Sequence, residues 1–231
     1  MMMKSDYLPY IDLPFRQPGN AYHFNTDTVL LGLFLPKLKN KIVLDIGTNC
    51  GALLCYAACK EAKMLYGVDL NVSALEYAEA NLKELNVPYQ LYSQDFREFP
   101  VSEIDAIIVN PPFYPDKERK TEGEELALNE SNMPLDELFR KSRSILKDNG
   151  SIYMIYPADH LNRLLKHAMQ NDFSVSLLRP VYDANKNSAI RTLVQLRRGI
   201  KDETRVGYPI LIKDGKILKD KGAYLDGKEQ F

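Results

Sequence analysis

The sequence has too few cysteines and histidines for a disulfide framework or a zinc site. Each occurs three times in 231 residues, and the cysteines lie within ten residues of one another, at Cys50, Cys55 and Cys59. A structural zinc ion takes four ligands, and no histidine is near enough in the sequence to complete the set. We therefore predict no metal and no disulfide, and interpret the cysteines as small core residues.

The sequence also lacks an excess of positive charge and a long apolar run. Thirty basic residues face 31 acidic ones, which leaves a formal net charge of -1. Any nucleic-acid contact must therefore be local. No apolar stretch approaches the roughly 20 residues that span a bilayer, and the opening MMMKSDYLPY lacks the apolar core of a signal peptide. We expect a cytoplasmic protein with no membrane partner, either a monomer or a homodimer.

Length and composition favour one main domain. Prolines and a glycine in the first twenty residues indicate an extended or turning N-terminal arm, assigned to residues 1–25. The main domain is predicted over residues 26–200, with Thr26 and Asp27 as N-caps of its first helix. A polar extension, residues 201–231, packs on this domain or trails from it, and its GYPILI stretch could add a strand.

Apolar strands alternate with amphipathic helices through most of the chain, which predicts an α/β fold with a mostly parallel sheet. The last two strands follow each other directly, so the final one is predicted to be antiparallel. The predicted strands are KIVLDI (41–46), MLYGVDL (64–70), PYQLYS (88–93), IDAIIV (104–109), SIYMIY (151–156), FSVSLLRPVY and AIRTLVQLRR.

The turn after the first of these strands reads LDIGTNCG and is a candidate cofactor site. Gly47 and Gly51 let the backbone approach a ligand, and Asp45 can accept a hydrogen bond from an ammonium group or a water. The G-x-G-x-x-G fingerprint of dinucleotide enzymes is absent. Asn49 occupies the place of its middle glycine, and asparagine tolerates a positive φ, so we expect the loop to keep its shape.

Two further acidic residues follow strands at places suited to a nucleoside. Asp69 comes 18 residues after Gly51, where a carboxylate can hold the hydroxyls of a ribose. Asp95 could accept from an exocyclic amine, and Phe96 could flank the ring. Together they indicate a nucleoside cofactor without a pyrophosphate. The alternative makes the glycines ordinary turn residues and Asp69 a helix N-cap.

These residues, with Asn110-Pro111-Pro112-Phe113, resemble the class I S-adenosylmethionine-dependent methyltransferases that act on planar nitrogens. HFNTDTVLLGLF, NPPFYP and AIRTLVQLRRG...YPILI are similar to the bacterial enzymes that methylate N6 of adenine 37 in valine tRNA. The resemblance implies a Rossmann-like fold with a seven-stranded sheet and helices on both faces, S-adenosylmethionine as cofactor and tRNA as partner. The chain departs from it at Asn49, and in ALNE (127–130), which lacks an arginine frequent in such relatives.

The NPPFYP segment is the predicted catalytic element. The Asn110 side-chain oxygen and the Pro111 carbonyl would accept from the target amine and stabilise its developing positive charge. Pro112 would stiffen the loop, while Phe113 and Tyr114 would stack on a base flipped out of its helix. The alternative is a strand that ends in a Pro-Pro turn, with the asparagine as a cap.

RNA contacts are predicted in the last part of the chain, where ten basic residues outnumber six acidic ones from residue 189 onward. Arg191, Arg197 and Arg198 are the candidate substrate-binding residues, although a solvated tail would have the same composition. A substrate loop or lid is predicted over Asp116–Asn132. Two other functions remain open: a guanine-N2 rRNA or protein-glutamine N5 methyltransferase on the same scaffold, and a cofactor-binding RNA module without activity.

Overall fold

The computed structural model describes residues 4–11, 13–18, 24–112 and 133–220. Its helices are α1 (Thr26–Phe34), α2 (Ala52–Cys59), α3 (Val72–Leu82), α4 (Leu135–Ile145) and α5 (Leu161–Gln170). Within the described ranges, no helix combines the length and the apolar character needed to cross a membrane.

A single large sheet forms the centre of the fold, and a separate two-stranded hairpin precedes it. The strands are β1 (Lys4–Leu8), β2 (Leu13–Gln17), β3 (Ile42–Ile46), β4 (Met64–Asp69), β5 (Tyr89–Ser93), β6 (Ile104–Val109), β7 (Leu146–Pro157), β8 (Phe173–Asp183), β9 (Ala189–Arg198), β10 (Arg205–Val206), β11 (Ile210–Lys213) and β12 (Lys216–Asp220).

The order of strands in the large sheet is β5-β4-β3-β6-β7-β9-β8-β11-β12, with β10 beside β8. Strands β5, β4, β3, β6 and β7 pair in parallel, whereas β9 runs antiparallel to both of its neighbours. This confirms the predicted α/β, Rossmann-like architecture and its antiparallel last strand.

The predicted number of seven strands is too low, because the described sheet has ten. β10, β11 and β12 continue it beyond β8, and β11 is held there by two side chains, Ile210 and Ile212, with 2% and 5% of their surface exposed. β10 and β12 are short and carry charged residues, so their sequences indicate a strand only weakly. β11 is apolar and lies at the end of the GYPILI stretch, so the expectation that this stretch adds a strand is confirmed.

Hydrophobic cores cover both faces of the sheet. The first core includes residues of α1, α2 and α3, and the second includes residues of α4 and α5. Successive side chains of a strand point to opposite faces, so Val43 enters the first core and Leu44 the second. Burial on both faces explains why the central strands read as continuous apolar runs.

The N-terminal arm forms a β-hairpin that is fastened to α3. Asn81, which is buried, accepts from the backbone nitrogen of Arg16 at 2.8 Å. Its amide nitrogen donates to the carbonyl oxygens of Arg16 and Cys50, both at 2.9 Å. One side chain thus joins the hairpin to the loop that follows β3.

Candidate active site

Three polar side chains predicted for the site lie at the carboxyl edge of the sheet, where its parallel strands end. Asp45 and Asp69 belong to the last residues of β3 and β4, and Asn110 directly follows β6. These strands are neighbours and run in parallel, so their carboxyl ends meet at the same edge. That edge is where open α/β sheets bind ligands.

The loop between β3 and α2 has the backbone that the sequence predicts. Gly47, Asn49 and Gly51 have φ values of 73°, 48° and 81°, so Asn49 does adopt the positive φ expected of it. A Cβ on Gly51 would stand 3.2 Å from the Cβ of Ala78 in α3, which leaves little room for a side chain. The substitution of the middle glycine therefore preserves the conformation of the loop.

Asp69 fixes that loop through its carboxylate. One oxygen accepts from the backbone nitrogen of Asn49 at 2.7 Å, and the other accepts from that of Asn71 at 2.9 Å. Burial raises the pKa of Asp69, and these backbone hydrogen bonds oppose the rise. The N-cap of α3 is Asn71, whose side chain accepts from Ala74, so the alternative role of Asp69 as that cap is excluded.

Asp45 is the most unusual group at this edge. Only 1% of its surface is exposed, and neither carboxylate oxygen has a hydrogen-bond partner among the described residues. Burial, together with the nearby charge of Asp69, raises the pKa of Asp45 to about 7, against an opposing effect of Thr48. A buried carboxylate is costly without a donor. An ammonium group beside the loop would supply one, so this residue fits the amino-acid end of S-adenosylmethionine.

Asp95 and Phe96 follow β5, the next strand along the edge. Asp95 caps a short 3-10 turn, Phe96–Glu98, and both of its oxygens contact Arg97. Phe96 is buried in the second core, with the Arg97 guanidinium 5.7 Å from its ring centre. The ring therefore packs into the core beneath the 3-10 turn, and little of its surface is exposed to contact a base.

The segment predicted to be catalytic is described as far as Pro112. Pro111 is buried, and Asn110 and Pro112 are half-buried. Phe113, Tyr114 and the predicted loop Asp116–Asn132 lie outside the described residues, as does the position of the missing arginine near residue 128.

Met133, where the description resumes, lies beside the glycine loop. Its methyl carbon is 3.5 Å from the position that a Cβ on Gly47 would occupy. No periodic pattern or motif predicts this contact, because Met133 precedes the first residue of α4. Pro112 and Met133, the described residues that flank residues 113–132, are therefore both next to the candidate site.

The three candidate arginines do not lie together. Arg191 pairs with Pro157 at the carboxyl edge of the sheet, whereas Arg197 pairs with Ser151. At about 3.3 Å a residue, the six intervening steps amount to roughly 20 Å. Arg198 donates to the carbonyl oxygen of Leu146 at 2.9 Å, also at the far end. Of the three arginines predicted to bind the substrate, Arg191 is therefore the one near the candidate site, and the RNA contacts of Arg197 and Arg198 at the opposite edge stay predictions.

Arg191 is itself part of an ion pair. Its Nε donates to Asp27 Oδ2 at 2.9 Å, and both side chains are mostly buried. Asp27 lies in the first turn of α1, whose N-cap is Asn25 and not Thr26 or Asp27 as predicted. Asn25 takes that role because its side chain can accept from the backbone nitrogen of Thr28, at 3.0 Å.

Cys50 and Cys55 are buried, as predicted for small core residues, whereas Cys59 is exposed because it is the last residue of α2, so the prediction is wrong for that cysteine. Burial raises the pKa of the Cys50 thiol to about 12 and also raises that of Cys55, so neither is a reactive thiolate near neutral pH. Across the described ranges, His, Cys, Asp and Glu side chains form no group of three or more that could hold a metal ion.

Solved structures with this fold include methyltransferases. The TYW2 protein of Methanocaldococcus jannaschii in complex with AdoMet has a TM-score of 0.55 and 16% identity, over 85% of this chain and 86% of that one. The ribosomal protein L11 methylase of Lactobacillus delbrueckii subsp. bulgaricus has a TM-score of 0.60 and 18% identity, over 80% and 84%. At these identities the likeness establishes the fold.

Sequence relatives are more specific. A protein of Aliivibrio fischeri named tRNA1(Val) (adenine(37)-N6)-methyltransferase is 29% identical over 180 residues, covering 74% of this chain and 76% of its own. One of the same name from Flavobacterium johnsoniae is 26% identical over 226 residues, or 94% of each chain. A M. jannaschii protein, provisionally named a protein N5-glutamine methyltransferase, is 38% identical over 98 residues, covering 42% of this chain and 50% of its own.

The family model described as "Methyltransferase small domain" matches residues 22–176, which contain β3 to β7 and all of the polar strand ends described above. More than half of the chain is matched, and the chain therefore belongs to this family of methyltransferases.

Proposed function

We propose that this chain transfers a methyl group from S-adenosylmethionine to N6 of an adenine in tRNA, with adenine 37 of valine tRNA as the expected target. The observation that carries the proposal is the position of Asn110-Pro111-Pro112 directly after β6, next to the strand β3 that holds the buried carboxylate of Asp45. The two relatives named for this activity support the choice of substrate. Such a substrate would place the protein in the cytoplasm.

Three carboxylates divide the recognition of the cofactor among them. Asp45 has two oxygens that need donors, and the ammonium group of the cofactor would provide them. Asp69 retains lone pairs for the ribose hydroxyls after its two backbone bonds. Asp95 would accept from the adenine amine. When bound, S-adenosylmethionine supplies an electrophilic methyl group.

Asn110 and Pro111 would act on the target nitrogen. The lone pair of an adenine amine is delocalised into the ring, so the nitrogen must become pyramidal before it attacks a methyl group. Acceptors at the Asn110 amide oxygen and the Pro111 carbonyl favour that geometry and the positive charge that develops with it. The methylated product is acidic enough to lose its proton to water, so no strong base is required. Phe113 and Tyr114 remain the proposed walls of the base pocket.

Methylation of a protein glutamine is the second candidate. The glutamine amide is also a planar nitrogen with a delocalised lone pair, so the same pair of acceptors would suit it. The observation in its favour is the 38% identity over 98 residues to the M. jannaschii protein. That match covers only 42% of this chain, whereas the match to the Flavobacterium johnsoniae protein covers 94% of it.

Methyl transfer from labelled cofactor to defined RNAs tests the proposal. Purified protein is incubated with valine tRNA transcripts that carry adenine or guanine at position 37, and the labelled nucleoside is identified after digestion. We expect N6-methyladenosine from the first transcript and no label in the second. Parallel incubations contain ribosomal RNA or cell protein in place of the transcripts, and N2-methylguanosine in the first or label in the second would replace the proposal with one of its rivals. Cofactor binding without transfer to any of these would indicate an inactive RNA-binding module.

A further inference from the structure

Arg97 contacts both oxygens of Asp95. Its backbone nitrogen and its Nε donate to Oδ1 at 2.9 Å and 2.8 Å, and its terminal nitrogen Nη2 donates to Oδ2. A planar guanidinium that meets both oxygens fixes the orientation of a carboxylate as well as its charge. The contacts with Arg97 therefore hold the Asp95 carboxylate in one orientation.

The two oxygens of Asp95 differ in how many further hydrogen bonds they can accept. Each carboxylate oxygen has about two lone-pair sites. Oδ1 already accepts from two Arg97 nitrogens, whereas Oδ2 accepts from one of them. Among these contacts, the remaining acceptor site is on Oδ2. A single N–H of an exocyclic amine would fill it.

Arg97 is held on its other side by α4. Its Nη1 donates to Glu137 at 2.5 Å, in the first turn of that helix. Lys141, one turn later, donates to the carbonyl oxygen of Phe99 at 2.7 Å, so α4 and the 3-10 turn are joined twice. Met133, beside the glycine loop, lies just before the same helix. The position of Arg97 is therefore set by a helix whose preceding residue, Met133, contacts the glycine loop.

We propose that Arg97 is a positioning residue that determines the specificity of the cofactor site for adenine, by fixing Asp95 with Oδ2 as its available acceptor. The inference rests on the proposed role of Asp95 within the proposed function. It concerns recognition of the cofactor base alone, so it can be tested without RNA. A 6-oxo purine in place of adenine would present a carbonyl oxygen to Oδ2, and a fixed carboxylate cannot turn away from it.

The test compares two ligands that differ only at the purine 6 position: S-adenosylhomocysteine and its 6-oxo analogue, the inosine form. Their dissociation constants are measured by calorimetry on the wild-type chain and on Arg97→Gln. We expect the wild type to prefer adenine by roughly 10- to 100-fold, the effect of one hydrogen bond to a charged group. Arg97→Gln should reduce that ratio about tenfold, because Asp95 can then rotate away from the carbonyl.

Arg140→Gln is the matched control. Arg140 is also an exposed arginine paired with a carboxylate, Asp136, but it makes no contact with Asp95. This variant should keep the wild-type ratio within about twofold, while Arg97→Lys, which retains charge but not the planar fork, should be intermediate. A loss of structure alone would weaken both ligands equally and leave the ratio unchanged.

Two results would overturn the inference. If the wild type does not discriminate between the ligands, Asp95 does not recognise the amine. If the wild type discriminates and Arg97→Gln retains the full ratio, Asp95 keeps its role but Arg97 does not position it. Neither result depends on methyl transfer to tRNA, so failure of the proposed substrate remains distinguishable.

Discussion

The carboxylate of Asp69 accepts a hydrogen bond of 2.7 Å from the backbone nitrogen of Asn49, a residue with a φ of 48°. Its second oxygen accepts from Asn71, the N-cap of α3. The end of β4, the glycine loop and the start of α3 are thus joined by one side chain. The proposed ribose acceptor also determines the shape of the loop around the cofactor.

Replacement of Asp69 by alanine should therefore weaken cofactor binding by two routes. The ribose loses its acceptor, and Asn49 loses the partner that holds its backbone. We expect a loss of roughly 1.5 to 3 kcal/mol in the binding free energy of S-adenosylmethionine, typical of hydrogen bonds to a charged group. Isothermal titration calorimetry measures it, with Glu76→Ala, an exposed residue of α3, as control. Unchanged affinity would remove Asp69 from the site.

Substitutions at Asn49 test whether the loop needs a residue tolerant of positive φ. Asn49→Gly should leave the free energy of unfolding almost unchanged, because glycine adopts this conformation without strain. Asn49→Ala should lower it by roughly 1 kcal/mol, since a Cβ without a compensating polar group is unfavourable there. Denaturant unfolding followed by circular dichroism measures both. Equal stability of the two variants would show that the backbone conformation is not the constraint.

Asp45 should make stability dependent on pH. Its pKa is raised to about 7 in the folded chain, against about 3.9 for an unperturbed aspartate. Between these values the folded state binds more protons than the unfolded state, so the free energy of unfolding should fall as pH rises from about 4 to about 7. Above that range the contribution levels off. Denaturant titrations at several pH values measure the free energy of unfolding of the wild type and of Asp45→Asn. The fall between about pH 4 and pH 7 should be absent from the variant.

The same residue should link cofactor binding to proton release. An ammonium group favours the charged form of Asp45, so S-adenosylhomocysteine should bind more tightly as pH rises towards about 7, and then level off. Calorimetry near pH 6 in two buffers of different ionisation enthalpy detects the released proton. Asp45→Asn should release less. Identical proton release by the two proteins would contradict the pairing of Asp45 with the ammonium group.

Arg191 and Arg197 lie on the same strand, β9, but at opposite ends of it, so their substitution should have different effects on stability. Arg191→Gln breaks the mostly buried ion pair with Asp27, and we expect the free energy of unfolding to fall by roughly 1 kcal/mol or more. Arg197 is exposed at the opposite edge, and Arg197→Gln should have little effect on stability or on tRNA affinity. Urea unfolding and filter binding measure the two quantities. A large loss of tRNA affinity in Arg197→Gln would show that RNA reaches that edge.

The central fold could be predicted because its strands are buried on both faces. Runs such as IVLDI and IDAIIV predict a strand by themselves, since a strand buried on both faces requires nearly continuous apolar residues. β10 and β12 are different: neither has a continuous apolar run, and each becomes a strand by pairing with β8 or β11. The count of seven strands is too low for this reason, although the GYPILI stretch was expected to add a strand and does so as β11.

The candidate site likewise contains residues that the sequence predicts and one whose role depends on tertiary packing. Asp45, Asp69 and Asn110 were predictable because each ends a strand, and parallel strands bring such ends together. The separation of Arg191 from Arg197 was also contained in the sequence, since six residues of one strand cannot occupy one edge. The role of Arg97 was not apparent, because its contacts with Asp95 and Glu137 depend on how α4 packs against the turn after β5.

Asn110 should act on the transition state more than on binding, because its acceptor bond strengthens as the target nitrogen becomes tetrahedral and positive. Asn110→Ala should fold normally and lose roughly 10² to 10³ in turnover, with much smaller changes in tRNA and cofactor affinity. Asn110→Asp retains an acceptor of similar shape and should keep part of the activity. Single-turnover methylation of tRNA, with separate binding measurements, resolves these effects. Wild-type turnover in Asn110→Ala on a confirmed adenine substrate would return this residue to the role of a cap at the end of β6.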